Sequence, residues 1–337
     1  MAVVPQRGSI RVRASSRSRD GVTAVAGLVS AVVLVVVAAA GLVGVAGTGA
    51  SAAVGSPVTA IATGVAHSCA LAADGTVSCW GDNSAGQLGN ATTTSSPTPV
   101  TVVGLSGVTA IATGGAHTCA LTGDRTVHCW GDNTFGQLGN DTTSQTGNPV
   151  AGVVSGLAGV TAIAAGFDHT CALTADQTVH CWGDNNNGEL GNGVPTSGPT
   201  PVSVVGLSGV TAITAGNDHS CALTRDGTVH CWGAGYLGNG TTTGSATPVT
   251  VVGLSEVTAI SAGYNHTCAL RADGTMRCWG DNTFGQLGNS YRYYTVTPVT
   301  VEGLTGDRDQ RRGPRHVRGD PGWDGVLLGC QQRRAAG

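Results

Sequence analysis

Five copies of one phrase run through the chain, the first as Val58-Thr59-Ala60-Ile61, then His67-Ser68-Cys69-Ala70-Leu71, then Cys79-Trp80-Gly81-Asp82-Asn83. The phrase returns around His117, His169, His219 and His266, at intervals of 50, 52, 50 and 47 residues. A period of that length marks one supersecondary unit stacked on copies of itself, each too small to bury its apolar face alone. The chain is therefore restricted to a repeat architecture before any residue is read for chemistry.

Each unit offers four short strands, in the first copy 58–62, 68–72, 76–80 and 100–103, punctuated by Gly, Pro, Asn and Asp. Ala73-Asp74-Gly75 suits a three-residue hairpin loop, a type I turn followed by Gly75 in the left-handed conformation. Gln177 stands at that glycine's place in the third copy, which predicts a strained or different turn there. With Ala72 facing Thr76, counting outward sets Cys69 opposite Cys79, within the reach of a disulfide. The same interval of ten pairs Cys119 with Cys129, Cys171 with Cys181, Cys221 with Cys231 and Cys268 with Cys278, and leaves over Cys330. Two thiols facing each other across a hairpin supply only half of a tetrahedral zinc site. Disulfides are thus the leading reading, with buried free thiols and a metal behind it; no cofactor or metal is expected.

The spaced strings His117-Thr118-Cys119-Ala120-Leu121, Cys129-Trp130-Gly131-Asp132-Asn133 and Gly136-Gln137-Leu138-Gly139 resemble the repeat of the regulator of chromosome condensation family. The resemblance extends over residues 53–305 and implies an all-β β-propeller of four-stranded blades. Family members usually close at seven blades, so the five in-frame copies (57–106, 107–158, 159–208, 209–255 and 256–305) read as a ring cut short. Secreted bacterial inhibitors of β-lactamase look like propellers of this same repeat class, so the resemblance makes inhibitor activity a concrete subcase of a protein-binding propeller. The resemblance also implies guanine-nucleotide exchange as an alternative, the activity of eukaryotic relatives.

Export fits the cysteines, because disulfides persist outside the cytoplasm. Arg7, Arg11, Arg13, Arg17 and Arg19 precede an uncharged stretch over 22–47, and Ala50-Ser51-Ala52 follows as a cleavage-like site. Residues 1–52 therefore read as a signal peptide or, since the apolar run is long enough to span a bilayer, an uncleaved signal anchor. An extracellular or cell-envelope propeller is expected, touching the membrane only through that segment. Between 53 and 305 the chain carries 15 Asp and Glu against five Arg, and it contains no Lys. A phosphate-binding surface needs clustered cations, so nucleic acid is an unsuitable partner.

The repeat stops at Gly306, where a sixth Val-Thr-Ala-Ile is due, and a tail with seven Arg over 306–337 follows. Read from the second base of the Gly306 codon, permitted codons spell VTAISAG, four residues, then CAVTRDGTVSCWGANSGGQLG, in register with the fifth copy. One slot misfits, because the Arg315 codon followed by that of His316 cannot give the repeat's His. The tail is therefore expected to be a frameshifted sixth repeat, with Cys330 an accident of the frame; a disordered basic tail is the alternative.

Trp80, Trp130, Trp182, Trp232 and Trp279 recur once per unit, as inter-blade packing requires. The five His of the His-Ser-Cys and His-Thr-Cys strings suit structural hydrogen bonds, and Asp82-Asn83 and its counterparts suit turns. No nucleophile, base and orienting group stand together, so an enzyme is not expected. Function belongs to the connections between strands, 90–99, 140–149, 192–201, 239–248 and 289–298. Tyr291, Arg292, Tyr293 and Tyr294 combine rigid aromatics with a guanidinium, a composition favoured at protein-binding hot spots, and Phe135 and Phe284 come next. The chain reads as a protein-interaction scaffold for an extracellular protein or cell-wall component. Against that reading stand an extracellular enzyme, a glycan-binding lectin and a non-functional truncated fragment.

Overall fold

A computed structural model describes residues 56–304; the leader and the tail lie outside the described residues. Twenty strands form five four-stranded antiparallel sheets, each with its strands in chain order. The sheets span 58–101, 108–153, 160–203, 210–250 and 257–300, and are blades 1 to 5 of a β-propeller. Among the described residues no helix is long and apolar enough to cross a membrane.

In blade 1 the first three strands are Val58–Thr63, His67–Ala72 and Val77–Gly81, within a residue or two of expectation. The fourth is Ser96–Thr101, beginning four residues before the expected stretch and ending two before it. Pro97 and Pro99 mark this segment as a turn in sequence terms. Here they sit in the strand at the sheet's edge, where a missing N–H breaks no ladder on the outer side. Part of each connection assigned to loop is thus edge strand.

The hairpin closes as counted: the Ala72 N–H bonds Thr76 C=O at 2.9 Å, and the Gly75 N–H bonds Ala72 C=O at 3.0 Å. Cys69 lies opposite Cys79, with Cα atoms 4.1 Å apart, and all five pairs are disulfides. The turn at Gln177 is not different; it keeps the same hydrogen bonds with Gln177 at φ 68°. Arg125 fills the same slot in blade 2 at φ 67°, so two of five copies place an ordinary side chain in a conformation that favours glycine.

Four apolar clusters join the blades in series. In the first, Cys69, Leu71, Val77, Cys79, Leu88 and Val102 of blade 1 receive Ala120 and Trp130 of blade 2. The same set recurs between blades 2 and 3, 3 and 4, and 4 and 5. Each blade therefore has a socket face, carrying the disulfide and the Leu, and a plug face, carrying the Ala and the Trp. Glycine at 139 is required by this packing, because a Cβ there would lie 2.8 Å from Trp182 Nε1.

A repeated relay pairs the Nε2 side of the joint histidines, while the buried Nδ1 atoms of His67, His117 and His169 have no hydrogen-bond partner among the described residues. Thr118 gives its hydroxyl proton to the Gln87 C=O (3.0 Å), so the 2.9 Å contact between His67 Nε2 and Thr118 Oγ1 must be donated by the ring. Trp130 Nε1 donates to the same carbonyl at 2.9 Å. The pattern returns with His117, Thr170, Trp182 and Gln137, and with His169, Ser220, Trp232 and Glu189. Burial holds the rings neutral, pushing His67 down to about 4 and His117 and His169 to about 3. His67, His117 and His169 are structural hydrogen-bond donors.

The joint between blades 4 and 5 departs from this. Its loop, Gly233-Ala234-Gly235-Tyr236-Leu237, is three residues shorter than its counterparts. Leu237 still fills the apolar pocket, with Tyr236 forced to φ 63°. The shortened loop brings no carbonyl to the indole, and Trp279 Nε1 is buried without a partner.

Candidate interaction surface

Antiparallel order puts the connections between first and second strands, and between third and fourth strands, at the same edge of each sheet. The edge is built by side-chain bonding to backbone. Asn83 accepts from the Leu88 N–H (2.9 Å) and donates to Asn90 Oδ1, Thr92 C=O and Thr94 C=O, folding the long connection back on itself. Asn185 makes the same set of bonds, and Asn133 and Asn282 make it without the last, which turns the Asp-Asn reading into observed geometry.

The short connections carry residues that change from copy to copy: Val65-Ala66, Gly115-Ala116, Phe167-Asp168, Asn217-Asp218 and Tyr264-Asn265. They link neighbouring blades through backbone bonds, Gly115 N–H to Phe167 C=O at 2.9 Å and Asn217 N–H to Tyr264 C=O at 2.8 Å. The Phe167 ring of blade 3 reaches past blade 4 to meet Tyr264 of blade 5 edge-on, with centroids 6.1 Å apart.

Carboxylates gather beside this pair. Gln137 Nε2 donates to Asp132 at 2.8 Å and to Asp168 at 3.3 Å, tying blade 2 to blade 3. Burial, then the charges of Asp132, Asp184 and Asp218, raise Asp168 to about 6. Burial and then Asp184 raise Asp218, against a bond from Asn217. Glu189 occupies the slot that is Gln87 and Gln137 in earlier blades and is fully buried there. Desolvation raises its pKa, against bonds from the Asn187 amide and side chain, each 2.9 Å long. Among the described residues the ion pairs lie elsewhere, at Arg271 with Glu256 and Asp273. No group of three or more His, Cys, Asp or Glu there is arranged to hold a metal ion.

Of the sequence-derived candidates, Phe284, Tyr291, Arg292, Tyr293 and Tyr294 all lie in the long connection of blade 5 and are exposed, Tyr293 at 78%. Tyr294 packs on Tyr236 of blade 4, with ring centroids 4.7 Å apart. Phe135 is half-buried on blade 2 and does not join this group. Sequence reading missed Phe167, Asp168, Asp218 and Glu189. The signal was available: a position that is Ala66 and Ala116 in two copies becomes Asp168 and Asp218 in the next two.

At the opposite edge, His180 and Asp176 line a shallow cleft with residues 156–159. His128 and Asp124 line the same cleft on blade 2, so it belongs to the repeat.

Serial four-stranded blades with a variable loop edge define a repeat-built β-propeller. The chain belongs to the RCC1-like domain family, whose model matches residues 43–317. Among solved structures it is similar to human WBSCR16, at 28% identity and a TM-score of 0.67, covering 72% of this chain and 67% of that one. It is also similar to Prp20p from Saccharomyces cerevisiae, whose structure is described with its binding to Gsp1p and histones. Identity there is 23% and the TM-score 0.62, over 73% of this chain and 63% of that one. The yeast protein seen bound to Kap60 matches at 19% identity and a TM-score of 0.54, over 73% of this chain and 75% of that one.

Proposed function

We propose that the protein is a secreted or surface-tethered interaction scaffold that engages an extracellular protein or cell-wall partner with its loop edge. One observation carries this reading: the joints repeat almost without change, whereas exposed aromatics and mutually coupled carboxylates collect on the edge where the copies differ. Rigid aromatics lose little freedom on binding, which suits Tyr291, Tyr293, Tyr294 and Phe284 to a contact patch. Uncompensated carboxylates at Asp132, Asp168, Asp184 and Asp218 favour a partner segment rich in amine or guanidinium groups. The disulfides and the leader's charge pattern support export.

A photo-crosslinking side chain placed at Tyr293 in the producing cell, with a second at exposed Thr101 as control, tests the surface. A discrete adduct from the Tyr293 site, weakened by Asp168→Asn with Asp218→Asn, is expected. Adducts of equal yield from both sites would defeat the assignment. Fractionation of the same cells tests export separately, with the protein expected in the medium or envelope.

A further inference from the structure

Blade 5 has an unfilled socket. Leu270 is 40% exposed, whereas its counterparts Leu71, Leu121, Leu173 and Leu223 are buried at 4–6%. Cys268 is half-buried where the four equivalent cysteines are fully covered. Among the described residues the His266 ring makes no inter-blade bond, although His67, His117, His169 and His219 each meet a Ser or Thr of the next blade. The Gln286 C=O sits in a loop of full length, yet no described donor reaches it, while Gln87, Gln137 and Glu189 each accept two bonds at that atom. The open face calls for a defined chemistry: a Thr or Ser for His266, an Ala and a Trp over Leu270, and an indole N–H for Gln286.

The codons of the tail, read one base later, supply these residues at the required spacing. Permitted codons give Thr at the slot of His316, Cys at Val317, Ala at Arg318, and Cys and Trp at Leu327 and Leu328. This is the order of Thr118, Cys119, Ala120, Cys129 and Trp130 in blade 2. We infer that the socket of blade 5 is the seat of a sixth blade encoded by this same locus in the shifted frame. That blade completes the His266 relay and buries Leu270. The slot of Arg315 yields Asp, Gly, Val or Ala in that frame, so the sixth blade passes no histidine bond onward. At the other end of the described residues, Ser68, Ala70 and Trp80 of blade 1 are partly exposed. The inference concerns the extent of the scaffold and holds whether or not the loop edge binds the partner proposed above.

The first test is the genomic sequence. The shifted frame requires GTG for Val317 followed by CGN for Arg318, and a codon ending in G, either CTG or TTG, for both Leu327 and Leu328. Any other base at those third positions removes the Cys or the Trp and overturns the inference. The protein supplies the second test: peptides spelling the shifted tail are expected by mass spectrometry of the native product, and peptides of the unshifted tail alone overturn it. A third test compares Leu270→Asp in the chain as it stands and in the product of the gene with one base removed at the Gly306 codon. The substitution is expected to lower Tm by about 5 °C or more in the restored product and by under about 2 °C in the present chain, following the usual stability-to-Tm relation. Equal shifts would show that no blade sits on that face.

Discussion

Blades 2 to 4 and the two terminal blades have nearly the same sequence but not the same environment. Trp182 and Trp232 are fully buried, each donating its indole N–H to the preceding blade, while Trp80 in blade 1 is only half-buried because no described blade precedes it. Leu173 in blade 3 is covered and Leu270 in blade 5 is not. In a stack where each unit contacts only its neighbours, a residue's contribution depends on whether a neighbour exists rather than on its own identity. One phrase therefore encodes a strong joint in the interior and a weak surface at the ends.

The largest test of this contrast is Trp182→Ala against Trp80→Ala. The first should cost about 3–5 kcal/mol of unfolding free energy by cavity formation, the second less than half of that. Equal losses in denaturant titration would mean that blade 1 is covered in solution. Removing a disulfide as Cys171→Ala with Cys181→Ala should cost about 2–3 kcal/mol from the short closed loop. Because the loops are identical in length, the Cys268–Cys278 pair should cost less only by the packing it lacks.

Acid should weaken the interior joints first. Burial holds His117 and His169 near 3, far below the ordinary 6.5, so the unfolded chain binds the extra protons. Their stabilisation is complete above about pH 6.5 and is lost as pH falls toward 3, at about 1–2 kcal/mol per ring by pH 5. Asp168, raised to about 6, works in the opposite sense and offsets part of this loss, as do Glu189 and Asp218, which burial also raises. Unfolding midpoints between pH 7 and 4 check the slope, which His169→Gln should make shallower. In the same range Asp218→Asn should bring Asp168 down toward the usual carboxylate value, read by NMR titration. Burial is the larger cause, so part of the elevation should persist.

The smallest effect lies at the hairpins. Gln177→Gly and Arg125→Gly should each stabilise by about 0.5–1 kcal/mol, since both side chains occupy left-handed conformations that glycine adopts without strain. No gain in Tm at either site would mean that the longer side chain contributes compensating contacts.

Much of this architecture was legible because repetition separates signal from accident. Counting from Ala72 and Thr76 placed Cys69 against Cys79, since a hairpin of known loop length fixes its register. The edge strands were misjudged because Pro97 and Pro99 break a central strand but not an outer one. The acidic rim was not found because attention to recurring residues passes over those that vary. Asp132, Asp168, Asp184 and Asp218 come from three blades and meet only when the blades curve about a common axis.

By itself the sequence determined the unit: its four strands, its disulfide, its turn, and the plug and socket residues. These follow from local spacing and side-chain alternation, which need no knowledge of what lies across space. Only the tertiary structure decided which faces are covered, which carbonyls receive the Trp and Thr donors, and which carboxylates share a neighbourhood. Those properties depend on distances between residues some fifty positions apart, and five nearly identical phrases cannot state which of them stands at an end.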